Sequence, residues 1–314
     1  MGEDDGVPLA FQLRDFFRQI DTEIYTGAYH WLIWGNQMDS QTSAGAIRLG
    51  FIGGGKLAGS VIRGLVRARY CEPSAILVSE PNEATRRTLE EELGIFGTAE
   101  NATVAKKAEI ILIGVKPGVL LPMLSEIAPH LERKLVISLA AGVRIHSMEK
   151  VAAAHFMRAM TNTPAAICRA ATALARGGRT TSSELSIASE LFGAIGAVVE
   201  VTEDQIDAVT ALAGSGPAFV YTVIEALARG GEKMGLAWDV ALTLATQTAL
   251  GAAQLATETK LSPEELRKMV VTPGGTTAAG LAEMEKLRTS DGLIVAVQAA
   301  AKRGREMSEE FGQT

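Results

Sequence analysis

The chain has 314 residues, 47% hydrophobic and 21% charged, with a formal net charge of −6, which suits two domains with buried cores. The acidic balance argues against a nucleic-acid partner, and no uninterrupted apolar run reaches the roughly 18 residues of a bilayer-spanning helix, so no membrane contact is expected. The distant Cys71 and Cys168 read as free thiols of a reducing cytoplasm, and His30, His130, His146 and His155 lack metal-ligand spacing, so no metal site is expected.

Residues 1–45 stand apart as an N-terminal extension. They hold seven of the sixteen aromatics, and seven acids against two bases, so −5 of the net −6 lies here. They lack the basic-then-apolar pattern of a targeting peptide. Phe11, Phe16, Phe17 and Ile20 would share one face of a short helix, free to dock on the body or on another subunit. An equal alternative is that translation starts at Met38, ahead of a Ser, Gln, Thr and Gly linker.

Short apolar runs then alternate with helical patterns. Strands are predicted at Ile47 to Ile52, Ala75 to Val78, Ile110 to Val115 and Leu135 to Ala140. Helices are predicted at Lys56 to Arg69, Glu83 to Leu93 and Val119 to Ala128. Further strands near Phe156, Thr172 and Val198 carry the sheet to about Thr202. This alternation predicts an α/β, Rossmann-type domain over 46–202, a parallel sheet covered on both faces. From 203 to 314 the strand signal stops and an all-α domain is expected. Asp204 to Met234 is broken at Gly214-Ser215-Gly216-Pro217. Helices follow at Trp238 to Thr257, Pro263 to Val270, Thr277 to Met284 and Gly292 to Glu310. Helices this apolar nearly all round imply burial on more than one side, hence a subunit interface.

Gly53-x-Gly55-x-x-Ala58 follows a strand and opens a helix. Its glycines allow a sharp turn and close approach to a pyrophosphate, and the small Ala58 allows tight helix–strand packing. The first helical N–H groups, those of Lys56 and Leu57 onward, would face the phosphates. The choice between NAD and NADP stays open. Glu80, ending the second strand, suits a ribose 2′-hydroxyl, whereas Arg86 and Arg87 just beyond suit a 2′-phosphate. Val115-Lys116-Pro117 ends the next strand on the nicotinamide side, where Pro117 stops the strand and Lys116 reaches a ribose or phosphate. A second glycine turn, Thr272-Pro273-Gly274-Gly275-Thr276-Thr277, precedes a helix, where N–H donors and threonine hydroxyls suit a carboxylate or simply cap the helix.

Beyond these motifs, GFIGGGKLAG (50–59), VKPG (115–118), SLAAGV (138–143), MRAMTNTPAA (157–166), TALAGSGPAF (210–219), GGEKMGL (230–236) and VVTPGGTTAAGL (270–281) resemble pyrroline-5-carboxylate reductase. The resemblance runs from about Leu49 to the C-terminus. It implies hydride transfer from NAD(P)H to the C=N carbon of 1-pyrroline-5-carboxylate, giving L-proline, the last step of proline biosynthesis. It implies that Thr277 hydrogen-bonds the ring nitrogen, that Thr272, Gly275 and Thr276 line the carboxylate pocket, and that Ala140, Asn162 and Pro164 border the cofactor. It also implies a helical domain interlocked with a second subunit, in a homodimer or a ring of dimers, and an active site between the Rossmann domain of one chain and the helices of its partner. A protonated imine is already electrophilic, so positioning supplies most of the catalysis, and Thr277 orients the substrate rather than acting as sole acid. Thr161, Ala213 and Ala170 (beside Arg169) depart from the family pattern. The competing reading, a β-hydroxyacid dehydrogenase, would want an interdomain-helix lysine. Lys233 is the candidate, but its place at the helix end reads as a dipole partner.

Overall fold

The computed structural model describes residues 47–312. The helix expected through Phe11, Phe16, Phe17 and Ile20 and the alternative start at Met38 lie outside the described residues. Eight strands form one sheet: β1 (Leu49–Ile52), β2 (Ile76–Ser79), β3 (Phe96–Thr98), β4 (Ile110–Ile113), β5 (Leu135–Ser138), β6 (His155–Met160), β7 (Ala170–Arg176) and β8 (Gly196–Glu200). Their spatial order is β3-β2-β1-β4-β5-β6-β7-β8. The central strands LGFI, ILVS, IILI and LVIS are buried at every position, which is why they are continuously apolar rather than alternating. Their side chains still alternate between faces. Phe51, Val78, Leu112 and Ile137 enter one core, and Ile52, Leu77, Ile111 and Val136 the other.

Helices cover both faces: α1 (Lys56–Arg67), α2 (Glu83–Leu93), α3 (Asn101–Lys107), α4 (Pro117–Ile127), α5 (Ile145–Val151) and α6 (Ser182–Gly193). Asn82 caps α2 by accepting from the Thr85 N–H, and Gly94 ends it in the left-handed conformation. β3, α3, α5 and α6 are short or weakly patterned elements that the periodicity did not reveal.

Three expectations are corrected. The strand expected through Val115 ends at Ile113, and Pro117 begins α4 rather than stopping a strand; its missing N–H and preset φ suit a first helical position. The strand expected through Ala140 ends at Ser138. The sheet is not wholly parallel, because β7 pairs antiparallel with β6, and β8 then runs parallel to β7. Only residues 161–169 join β6 to β7, too few for the crossover that a parallel return needs. α6 supplies that crossover before β8.

From Glu203 onward the described chain is helical: α7 (Ile206–Val209), a π-helical turn (Thr210–Gly214), α8 (Gly216–Lys233), α9 (Trp238–Thr259), α10 (Pro263–Val270), α11 (Thr276–Lys286) and α12 (Thr289–Gly312). The Gly214–Pro217 stretch does not break the rod. The Ser215 N–H reaches back five residues to the Thr210 carbonyl at 2.8 Å, and Pro217 sits in the first turn of α8. The joined segment Glu203–Lys233 is long and apolar enough to cross a membrane by length and composition, which the run-length reading missed; 11% of its apolar window is buried in this chain. α8 and α9 pack through Ile224, Ala228, Ala241, Leu242 and Ala245. Their other faces leave Tyr221, Leu227, Leu244 and Leu250 exposed, as α12 leaves Ile294 and Val295.

Candidate functional site

The register of the parallel strands collects most of the expected cofactor residues along one edge. Ile52 pairs with Ser79 on one side and Ile113 on the other, and Ile113 pairs with Ser138. The residues that follow these strands, Gly53, Glu80, Gly114 to Pro117 and Leu139 to Ala140, therefore leave the sheet together. β1 has β2 on one side and β4 on the other, so the chain reverses its direction of winding here, and a crevice opens beyond the strand ends.

The glycine loop has the shape a diphosphate needs. Gly53 has φ +93°, and an added Cβ would press against the Gly114 backbone at 3.0 Å and Val115 Cγ1 at 3.1 Å. Only glycine accepts both the backbone and the space. A Cβ at Gly55 would meet nothing within 4 Å. Gly55 precedes the twelve-residue α1, whose N-terminus has no side-chain cap. Among the described residues its first N–H groups, on Lys56, Leu57 and Ala58, have no hydrogen-bond partner and keep their donors for an anion. Ala58 is fully buried, and a Cβ on Gly114 would fall 2.7 Å from its methyl, so the helix lies close on the end of β4. Sequence reading missed Gly114, although a glycine just past an apolar strand is the signal that would have found it. The exposed Lys116 occupies the residue before α4 at the same edge, without a side-chain cap bond; Ala140 is buried there, and its N–H donates to Ser138 Oγ at 3.2 Å.

Glu80 closes back on this loop. Its Oε2 accepts from the Gly54 N–H and its Oε1 from the Asn82 N–H, each at 2.9 Å. Arg86 Nη1 donates to the Glu80 carbonyl at 2.7 Å.

Asn162, in contrast, spends its amide on the scaffold. Its Nδ2 donates to the Ala213 carbonyl at 3.1 Å, and its Oδ1 accepts from the Ala171 N–H at 3.2 Å. Ala213 lies four residues before Pro217, so its carbonyl is the one that the proline ring deprives of a helical partner. Asn162 thereby ties the end of β6 to the π turn. Pro164 lies in the short 3-10 turn Thr163–Ile167 that follows. Thr161 is buried and its Oγ1 meets Thr172 Oγ1 at 2.7 Å, so that departure is absorbed by a hydroxyl pair; Ala170 begins β7.

A second junction joins the same elements. Arg158, in β6, is buried, with Nη1 3.5 Å from Glu203 Oε1, while among the described residues its Nε and Nη2 have no hydrogen-bond partner. Burial pulls the guanidinium below its usual pKa, against the opposing pull of Glu203 and Asp207. Glu203 Oε1 also accepts from the Ile145 N–H at 2.6 Å, at the start of α5. An arginine inside the apolar run HFMRAM was the overlooked signal.

The second glycine turn forms as expected in outline. Gly274 has φ +73°, Gly275 precedes α11, and Thr276 and Thr277 are its first two residues, with no side-chain cap. Gly275 donates its N–H to the Thr272 carbonyl at 3.0 Å, and among the described residues the N–H groups of Thr276 and Thr277 have no hydrogen-bond partner. Thr272 is exposed and Thr277 half-buried. Among the described residues, no hydrogen bond joins the Thr272–Thr277 turn to the glycine loop of the same chain. Lys233 is the exposed last residue of α8. Among the described residues, no group of three or more His, Cys, Asp or Glu is placed to hold a metal ion.

A family model described as pyrroline-5-carboxylate reductase dimerisation matches residues 203–307, and one described as NADP oxidoreductase, coenzyme F420-dependent, matches residues 48–142. The chain is 41% identical over 262 residues to the pyrroline-5-carboxylate reductase of Glycine max, covering 83% of this chain and 96% of the relative. The chain belongs to the pyrroline-5-carboxylate reductase family. The Synechocystis reductase is 40% identical over 266 residues, covering 84% of this chain and 100% of the relative. Among solved structures, the pyrroline carboxylate reductase of Plasmodium falciparum, with NADP bound, superposes with a TM-score of 0.77 at 28% identity, over 85% of this chain and 100% of that one. A pyrroline-5-carboxylate reductase from Coxiella burnetii gives 0.77 at 34% identity, over 84% and 99%. In this family setting, the apolar faces of α8, α9 and α12 coincide with the segment matched by the dimerisation model.

Proposed function

We propose that the protein reduces 1-pyrroline-5-carboxylate to L-proline with NAD(P)H, the last step of proline biosynthesis, as a homodimer or a ring of dimers. The observation that carries the reading is the pair of uncapped, glycine-led helix N-termini, α1 and α11, within a chain that aligns with 96% of a named reductase. One suits a pyrophosphate and the other a small carboxylate. Residues 46–202 serve as the nucleotide-binding domain and 203–314 as the dimerisation and substrate domain, a division supported by the last strand ending at Glu200 and the dimerisation match starting at 203.

The nucleotide would be held by Gly53, Gly55, Lys56, Leu57 and Ala58 at its phosphates, by Glu80 at its adenosine ribose, and by Val115, Lys116, Pro117, Ala140, Asn162 and Pro164 towards its nicotinamide. When bound, it supplies the hydride. The Thr276 and Thr277 N–H groups and the Thr272 hydroxyl receive the substrate carboxylate, and Gly275 shapes that turn with its inward N–H. The Thr277 hydroxyl orients the ring nitrogen, and the rate comes from positioning an already electrophilic iminium. The two halves would meet across the dimer. No nucleic acid or membrane takes part, in keeping with the acidic net charge and with a dimer that covers the apolar helices. The unpaired Cys71 and Cys168 suit a cytoplasmic protein.

The test is loss of reduced-nicotinamide absorbance on adding pyrroline-5-carboxylate to the purified chain. Turnover with L-proline as product supports the reading. A folded protein that binds NAD(P)H but turns over no cyclic imine overturns it.

A further inference from the structure

We infer that Glu80 makes this chain selective for NADH over NADPH. The inference rests on the dinucleotide site proposed above and concerns its adenosine end. Glu80 directly follows β2, whose last residue pairs with the residue before the glycine loop. At this position of a Rossmann sheet the side chain faces the adenosine ribose. Both of its carboxylate oxygens are anchored, one by the Gly54 N–H and one by the Asn82 N–H. The negative charge is therefore held at the mouth of the loop by two backbone donors. Each oxygen keeps a lone pair, which a ribose 2′-hydroxyl can satisfy as donor. A 2′-phosphate can donate nothing when ionised, and it would bring a second negative charge against the first.

The cations nearest the 2′ position already face protein partners. Arg86 Nη1 donates to the Glu80 carbonyl, and its stem lies along β3, where a Cβ on Gly97 would come within 2.7 Å of Arg86 Cγ. Arg87 pairs with Glu91 at 3.6 Å along the exposed face of α2. Arg63 pairs with both carboxylate oxygens of Glu92, at 2.7 and 2.6 Å. Lys56 is the first residue of α1. The first turn of α2 adds another carboxylate, Glu83. The anchored Glu80 carboxylate is thus set against a 2′-phosphate, although the Plasmodium falciparum relative was solved with NADP.

The test is calorimetric titration of the full chain with NADH, NADPH, adenosine 5′-monophosphate and adenosine 2′,5′-bisphosphate. The two adenosine probes report the ribose pocket without any turnover. The expected result is tighter binding of NADH and of the monophosphate, each by roughly tenfold. Glu80→Gln keeps an acceptor for the Gly54 N–H and removes the charge, so it should raise NADPH affinity by a similar factor and erase the preference. Arg86→Ala should move the NADPH to NADH ratio by less than about twofold. Tighter binding of NADPH by the unmodified chain, an unchanged ratio in Glu80→Gln, or a selective loss of NADPH in Arg86→Ala overturns the inference. NADH-selective binding without imine turnover supports it while sinking the reductase reading. No binding of any of the four probes sinks both.

Discussion

Thr277 sits second in α11, half-buried, at a helix start with no side-chain cap. Replacing it with valine keeps the shape and removes the hydroxyl. Thr277→Val should lower kcat by on the order of a hundredfold while NAD(P)H affinity stays within about twofold. Loss of nucleotide binding in that variant would instead give Thr277 a structural role. Far from this site, Glu184 carries a separable pH effect. Burial pushes its carboxyl up, but hydrogen bonds from Thr181 and His155 outweigh that and hold it below the usual carboxylate pKa. A depressed folded pKa stabilises the protein above the unfolded value and loses that contribution as pH falls through the folded one. Urea-unfolding free energies should therefore drop below about pH 5 by more in the unmodified chain than in Glu184→Gln. Equal slopes would remove Glu184 from the acid response. Both threonines of α11 were legible in the sequence as a glycine-led helix start. The Glu184 network was not, because its partner His155 comes from another element, 29 residues away.

Between elements, one amide links the π turn to the segment that follows β6. Pro217 removes the N–H that would bond the Ala213 carbonyl, and Asn162 Nδ2 replaces it. Asn162→Ala strands that carbonyl and the Ala171 N–H and should cost about 1–3 kcal/mol, read from urea unfolding with an unchanged m-value. Pro217→Ala restores the missing N–H. In the double variant the penalty should shrink, giving a coupling of at least about 0.5 kcal/mol. Strict additivity would show that Asn162 and Pro217 do not share the Ala213 carbonyl. The sequence presented Gly214–Pro217 as a helix break. It could not show that a side chain from residue 162 would take over a carbonyl 51 positions away and let the rod continue.

On the scale of the whole molecule, α8, α9 and α12 carry large apolar side chains that one chain leaves in water. Leu244 and Leu250 are each more than half exposed, at 54% and 55%, and a patch of this kind marks an interaction surface. Leu244→Glu combined with Leu250→Glu should convert a dimer to a monomer by sedimentation. The monomer should keep NAD(P)H binding and lose turnover by a hundredfold or more, to the order of magnitude expected when reacting groups lose their placement. A fully active monomer would show that one chain completes its own site.

What the sequence by itself determined was local. Apolar strands alternating with helices, a GxGxxA turn after the first strand, and a glycine turn before a helix full of small residues each encode their own backbone conformation within a few residues. The glycine loop, most helix boundaries and the change to all-α after Thr202 were therefore legible. The tertiary structure decided everything that depends on which segments meet. The antiparallel return of β7 followed from the length of its connection. The anchoring of Glu80 on Gly54 spans 26 residues, and the pairing of the buried Arg158 with Glu203 spans 45. Such contacts arise from strand register and packing, which bring distant residues together at a spacing no local pattern records.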